Sequence, residues 1–185
     1  MSKRCPLIAA QCKQMTKELL YEIGGEGRIL EFCIAFYQLA SADPTLQTFL
    51  FDHDNVVSHG QRLAKWIVNY MEGNEDLCEP GWEFAHYHTR CQSEKKPLRA
   101  VCFSVRDCRT WMRLHFWAMR QCGLDRNGRF WAWYVQLIHQ HIALHNSYAP
   151  GYTIVDSVWS TIPGNLQMYK ENGQDMVDLC PSYYC

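Results

Sequence analysis

Residues 20–54, LYEIGGEGRILEFCIAFYQLASADPTLQTFLFDHD, carry the pattern that decides the fold class. Ile29, Cys33, Phe36, Tyr37 and Ala40 recur at helical spacing, which predicts a helix from about 26 to 41. Ahead of it, Gly24-Gly25 stops a short helix over 14–22 (QMTKELLYE). Behind it, Asp43-Pro44 breaks the run, and Pro44 suits the first turn of a short following helix.

Outward from this stretch the same period continues. Asp54 or Asn55 can cap a helix whose one face carries Val56, His59, Leu63, Ile67 and Tyr70 and which ends near Gly73. A polar stretch (Asn74–Gly81), the short segment WEFAHYH and a charged loop around Ser93–Pro97 follow. A long amphipathic helix is predicted from about 104 to 122, with Cys108, Trp111, Met112, His115, Met119 and Cys122 as its stripe. After a turn at Asp125–Gly128, a last long helix runs from about 129 to 148 and stops before Pro150. Residues 151–185 read as an irregular extension over the surface. Alternating strand patterns are almost absent, so the expected class is all-α, a bundle or globin-type packing in one domain over residues 1–150.

Composition agrees and narrows the function. A chain of 185 residues can bury one real core, and 14% aromatics with seven Trp make that core or a pocket within it aromatic. A formal charge of −1 without a long basic run argues against nucleic acid or a membrane surface as partner. The longest apolar stretches, such as Phe32–Leu39, are too short to span a bilayer, and the N-terminus lacks a signal-peptide pattern. The expectation is therefore a cytoplasmic protein whose ten Cys are mostly free thiols, with Cys180 and Cys185 the most open to oxidation.

Histidines are the residues that could carry chemistry. His59 shares its stripe with Val56, Leu63 and Ile67, so its imidazole must face inward and find a hydrogen bond, a ligand or a neutral state. Cys78, His86, His88 and Cys91 offer a two-sulfur, two-nitrogen zinc set, but their spacing matches no compact finger and no paired C-x2-C knuckle is present. On the last helix, His141 and His145 share a face at i and i+4, with His139 nearby; no carboxylate stands between them as in H-E-x-x-H. Nucleophile elbows, Walker loops and dinucleotide-binding glycine loops are missing from the chain.

The opening stretch resembles the first part of truncated globins. The likeness rests on Gly24-Gly25, on Phe36-Tyr37 near the end of the next helix, on Asp43-Pro44, and on Leu46 with Phe49 and Phe51. The following helix, SHGQRLAKWIVNYMEG, is similar to that family's distal helix, running into a glycine motif at Gly73. The resemblance covers residues 17–90, and 103–148 at the level of helix pattern.

It implies a two-over-two helical sandwich around haem b, an iron cofactor. Tyr37 matches the distal tyrosine whose hydroxyl donates to the bound gas, His59 the distal gate, and Leu63 the position one turn deeper. Phe36, with Phe49 or Phe51, would pack on the porphyrin, Arg62 would reach a propionate, and Trp111 would add a hydrogen bond. In one branch the iron ligand follows the glycine motif in an Ala-His pair; Ala85-His86, thirteen after Gly73, matches it and makes His86 the expected proximal ligand. In the Trp-bearing branch the count back from Arg106-Asp107 and Trp111 lands on Leu98 instead, and the glycine motif here has a single Gly. The function so implied is binding of dioxygen, nitric oxide or carbon monoxide, for storage, sensing or nitric oxide detoxification. Any dioxygenase or peroxidase turnover would draw electrons from an external reductase. The competing expectations are a haem-free helical binding or scaffold module and a zinc-stabilised helical domain.

Overall fold

Gly24 and Gly25 adopt φ of 105° and 78° at the turn between α1 (Pro6–Glu22) and α2 (Glu26–Ala42). Such dihedrals strain any residue carrying a Cβ, which explains the glycine pair. The computed structural model describes residues 6–47, 55–74, 105–144 and 151–173. Five further helices lie in these stretches: α3 (Val56–Glu72), α4 (Val105–Gln121), α5 (Gly128–Leu144), α6 (Ile154–Thr161) and α7 (Pro163–Glu171), with a 3-10 turn at Leu124–Arg126. The described residues hold no strand, so the chain is all-helical there. None of these helices is long and apolar enough to cross a membrane.

α2 is the central helix. Ile29, Phe32, Cys33, Phe36 and Ala40 are wholly buried along it, and it packs on both α3 and α4. α3 is held at both ends by local chemistry. Asn55 Oδ1 accepts the Ser58 amide at 2.9 Å, and Gly73 closes the helix in the left-handed region at φ 74°. Its inner face buries His59, Leu63, Ala64, Ile67, Val68 and Met71, while Gln61, Arg62 and Lys65 stay exposed. Gly60 sets the approach of α3 to α2: a Cβ built there would fall 2.8 Å from Ile34 Cγ1 and 3.1 Å from the Ile34 backbone.

Beyond residue 150 the structure differs from the irregular extension expected. Residues 154–171 form α6 and α7, and α6 packs on α4. Local chemistry starts α6, where Asp156 reaches back to accept the Thr153 amide at 2.8 Å. The helices span only eight and nine residues, with Ile162 between them and Pro163 opening α7, too short for a periodic signal. Trp159 and Tyr169 are buried, so this segment belongs to the core.

The covering helices also alter α4, which reads in sequence as one-sided. Thr110, Arg113 and Asp107 are buried beside Met112, Leu114 and Phe116. The Arg113 guanidinium stacks 4.1 Å over Trp159, with Tyr169 at 5.8 Å, and burial lowers its pKa to about 10. Arg109 pairs with buried Asp156 at 2.7 Å. Asp43 ties the turn after α2 to α7. One carboxylate oxygen accepts the Thr45 and Leu46 amides, shaping the turn after α2, and the other accepts the Tyr169 hydroxyl.

Candidate functional site

Three helices converge where α2 crosses α3 and α4. α2 supplies Phe36 and Tyr37, α3 supplies His59 and Leu63, and α4 supplies Trp111 and His115. Phe36 and Tyr37 are neighbours in sequence, yet both are buried because α2 is covered on two sides. Gly60, next to His59, brings the α3 backbone against α2.

The rings form one continuous cluster. Tyr37 and His59 meet edge-on with centroids 5.1 Å apart, and Phe36 lies 4.8 Å from Tyr37. Trp111 stands 5.5 Å from Phe36 in a T-shaped contact. His115 lies against both, 3.6 Å from Phe36 and 3.7 Å from Trp111, with Phe32 and Tyr134 each at 6.0 Å. The T-shaped contacts among them, Tyr37–His59, Phe36–Tyr37, Phe36–Trp111 and Phe32–His115, suit the ring quadrupoles. Leu63 is buried at 1% exposure, whereas Arg62 is exposed on the flank of α3.

His115 is the member that sequence reading placed only as a core stripe residue. Its Nδ1 lies 2.8 Å from the Trp111 carbonyl oxygen. A carbonyl can only accept, so Nδ1 carries the proton, and the lone pair is left on Nε2. Among the described residues that buried Nε2 has no hydrogen-bond partner, and neither has the buried Tyr134 hydroxyl. Burial lowers the His115 pKa from 6.5 to about 3, so the ring is neutral at ordinary pH. Burial also pushes the Tyr134 phenol well up, with smaller contributions from Cys33 and Tyr37. The residue type and its stripe were visible in the sequence; the orphaned lone pair depends on a rotamer and on four surrounding rings.

Of the expected site residues, Phe36, Tyr37, His59, Leu63 and Trp111 gather in one cluster, with Arg62 outside it in solvent. Phe49, Phe51 and His86 lie outside the described residues, as do Cys78, His88 and Cys91 of the zinc alternative. The side chains of His139, His141 and His145 are likewise outside them. Among the described residues no group of three or more His, Cys, Asp or Glu could hold a metal ion by itself. Cys33, Cys108 and Cys122 are free thiols, and burial raises the Cys33 pKa well above its ordinary value.

A haem carries four nitrogen ligands of its own, so it would need only one or two imidazoles from the chain, and His59 and His115 are the imidazoles of this cluster. Tyr37 and His59 lie side by side in this cluster, and the Nε2 of His115 is a buried polar atom unsatisfied among the described residues.

Compared with protein-family models, curated proteins and solved structures, the chain matches none.

Proposed function

We propose that this protein is a haem protein of truncated-globin type, a two-over-two sandwich that binds dioxygen or another diatomic ligand, with His86 as proximal ligand. Storage, sensing and nitric oxide detoxification all use this chemistry, and the last needs an external reductant. One observation supports the reading above others. Trp111, Phe36, Tyr37 and His59 come from three separate stretches of sequence, and they form an unbroken ring-to-ring chain inside the core.

Bound haem would supply a ferrous centre able to take up a diatomic molecule. The chain's own residues do the rest. Tyr37, 2% exposed, holds a phenol donor where water has little access, so its hydrogen bond is undiluted by solvent. His59, 9% exposed at the edge of the cluster, can donate to the same ligand and controls the way in. Phe36 and Leu63 exclude water, and Trp111 contributes an indole N–H from α4. Arg62, on the exposed flank one turn from His59, would meet a propionate at the solvent edge.

The deciding experiment is the absorption spectrum of purified protein supplied with haem, in both oxidation states. An intense Soret band that is lost in His86→Ala and kept in His88→Ala is the expected result. The second reading, a haem-free helical binding module, is favoured by the closed contacts of His115 with Phe36 and Trp111 at 3.6 and 3.7 Å. A colourless protein without zinc would establish it, and a colourless protein with bound zinc would favour the zinc-stabilised domain.

A further inference from the structure

His115 is the histidine of the ring cluster that solvent does not reach: it is wholly buried on α4, whereas His59 on α3 lies at the cluster edge. Phe36, Trp111, Phe32 and Tyr134 surround it, with centroids 3.6, 3.7, 6.0 and 6.0 Å away. Among the described residues its Nε2 has no hydrogen-bond partner. Tyr134, stacked on it, does not supply the missing donor, since among those residues the Tyr134 hydroxyl is unpartnered too.

An imidazole in this state is prepared as a metal ligand. Nδ1 donates its proton to the Trp111 carbonyl at 2.8 Å, which fixes the tautomer and leaves the lone pair on Nε2. Histidines that ligate metals almost always donate their other ring N–H to a carbonyl, a carboxylate or water in this way. The ring is neutral, because burial lowers its pKa to about 3, so no proton has to leave before the lone pair is used. A buried acceptor without a donor is a cost to the fold, and a partner from outside the chain would remove it.

We propose that His115 is a second iron ligand of the haem, binding through Nε2 from α4 while no diatomic molecule is bound and giving way when one arrives. This inference rests on the haem reading above and adds to it a residue and a form of regulation. Phe36 is the ring expected to pack on the porphyrin and Trp111 the indole expected to reach a bound ligand, and His115 touches both. A group that lies against Phe36 and Trp111 therefore meets His115 as those two rings part. His59, nearer to solvent, keeps its place as the gate. The coordinate bond forms from the Nε2 lone pair with no proton released, and an incoming ligand has to break it. Uptake is then limited by how often His115 lets go, and the apparent affinity is lowered by the fraction of molecules in which it has done so.

The test is electron paramagnetic resonance of the haem-loaded full chain in its ferric form, with stopped-flow mixing of the ferrous form and carbon monoxide. The unchanged protein should give the low-spin signal of iron held by two imidazoles, and its association rate should level off as carbon monoxide rises. His115→Leu should keep the Soret band, turn high-spin and bind carbon monoxide about tenfold faster, in linear proportion to concentration. Free imidazole added to His115→Gly should restore the low-spin signal, which a merely structural role for the side chain would not allow. Should the His115 variants fail to fold, His59→Leu decides: the low-spin signal persists if His115 is the ligand, and its loss overturns the assignment. A low-spin signal kept by His115→Leu, or a Soret band with high-spin iron in the unchanged protein, overturns this inference alone. A chain that takes up no haem overturns the haem reading and this inference with it.

Discussion

Tyr37 on α2 and His59 on α3 meet edge-on inside the core, their ring centroids 5.1 Å apart at 62°. Twenty-one residues and a helix reversal separate them in sequence, and the close crossing at Gly60 joins the two helices beside this pair. Each of the following expectations tests one part of that arrangement.

Tyr37→Phe removes one donor without changing ring packing. In haem-loaded protein, dissociation of dioxygen should quicken several-fold, in line with the loss of one buried hydrogen bond of about 1 kcal/mol. Stopped-flow ligand replacement measures it; an unchanged off-rate would take Tyr37 out of the pocket.

Gly60→Ala should be costly for so small a change. The new methyl would meet Ile34 Cγ1 at 2.8 Å and backbone atoms at 3.1 Å, so α2 and α3 must separate. Overpacking of this kind costs about 1–3 kcal/mol, read as a lower urea midpoint at unchanged slope. Haem affinity should fall with it, because Tyr37 and His59 would part.

Acid should destabilise the fold through His115. Its folded pKa is about 3 against 6.5 unfolded, so between these values the unfolded chain binds a proton that the native ring refuses. Stability therefore falls as pH drops below about 6.5, by up to about 1.4 kcal/mol per pH unit from this group, and levels off near the folded pKa. Tyr134 and Cys33, whose pKa values burial raises, stay uncharged throughout that window, and His59 of the same cluster is common to the two proteins compared, so the difference between their slopes reports His115. His115→Phe, close in volume and without an orphaned lone pair, should flatten the slope in urea titrations run from pH 7 to 4. A slope identical in both proteins would refute it.

Trp159→Ala tests whether α6 and α7 belong to the folding unit. The indole covers the Arg113 guanidinium at 4.1 Å and is 3% exposed. Its removal leaves a cavity beside a buried charge, at a cost of about 3–5 kcal/mol. Thermal melts should shift as a single transition. A separate early transition with the main one unmoved would make residues 151–173 an independent appendage.

Much of the cluster was legible before folding. Periodicity alone put His59 inward on α3, since Leu63 and Ile67 repeat its face, and the structure buries all three. The truncated-globin pattern nominated Tyr37 and Trp111 as partners from distant stretches. His115 was readable as core, but not as a neutral imidazole with an unused Nε2. That state depends on which nitrogen meets the Trp111 carbonyl and on how closely Phe36 is packed.

What the sequence determined by itself was local. Gly24-Gly25 ends one helix and opens the next because φ near 105° and 78° favours glycine, Asn55 and Gly73 bound α3, and a helical stripe marks each inner face. Only the tertiary structure decided the fate of the polar flank of α4. Arg113 reads as a solvated charge until Trp159 and Tyr169 fold over it, and Asp43 reads as a turn residue until it accepts the Tyr169 hydroxyl. Local propensity acts within a few residues. Burial of a charge requires partners from far along the chain, and no short-range pattern records where those partners will come to rest.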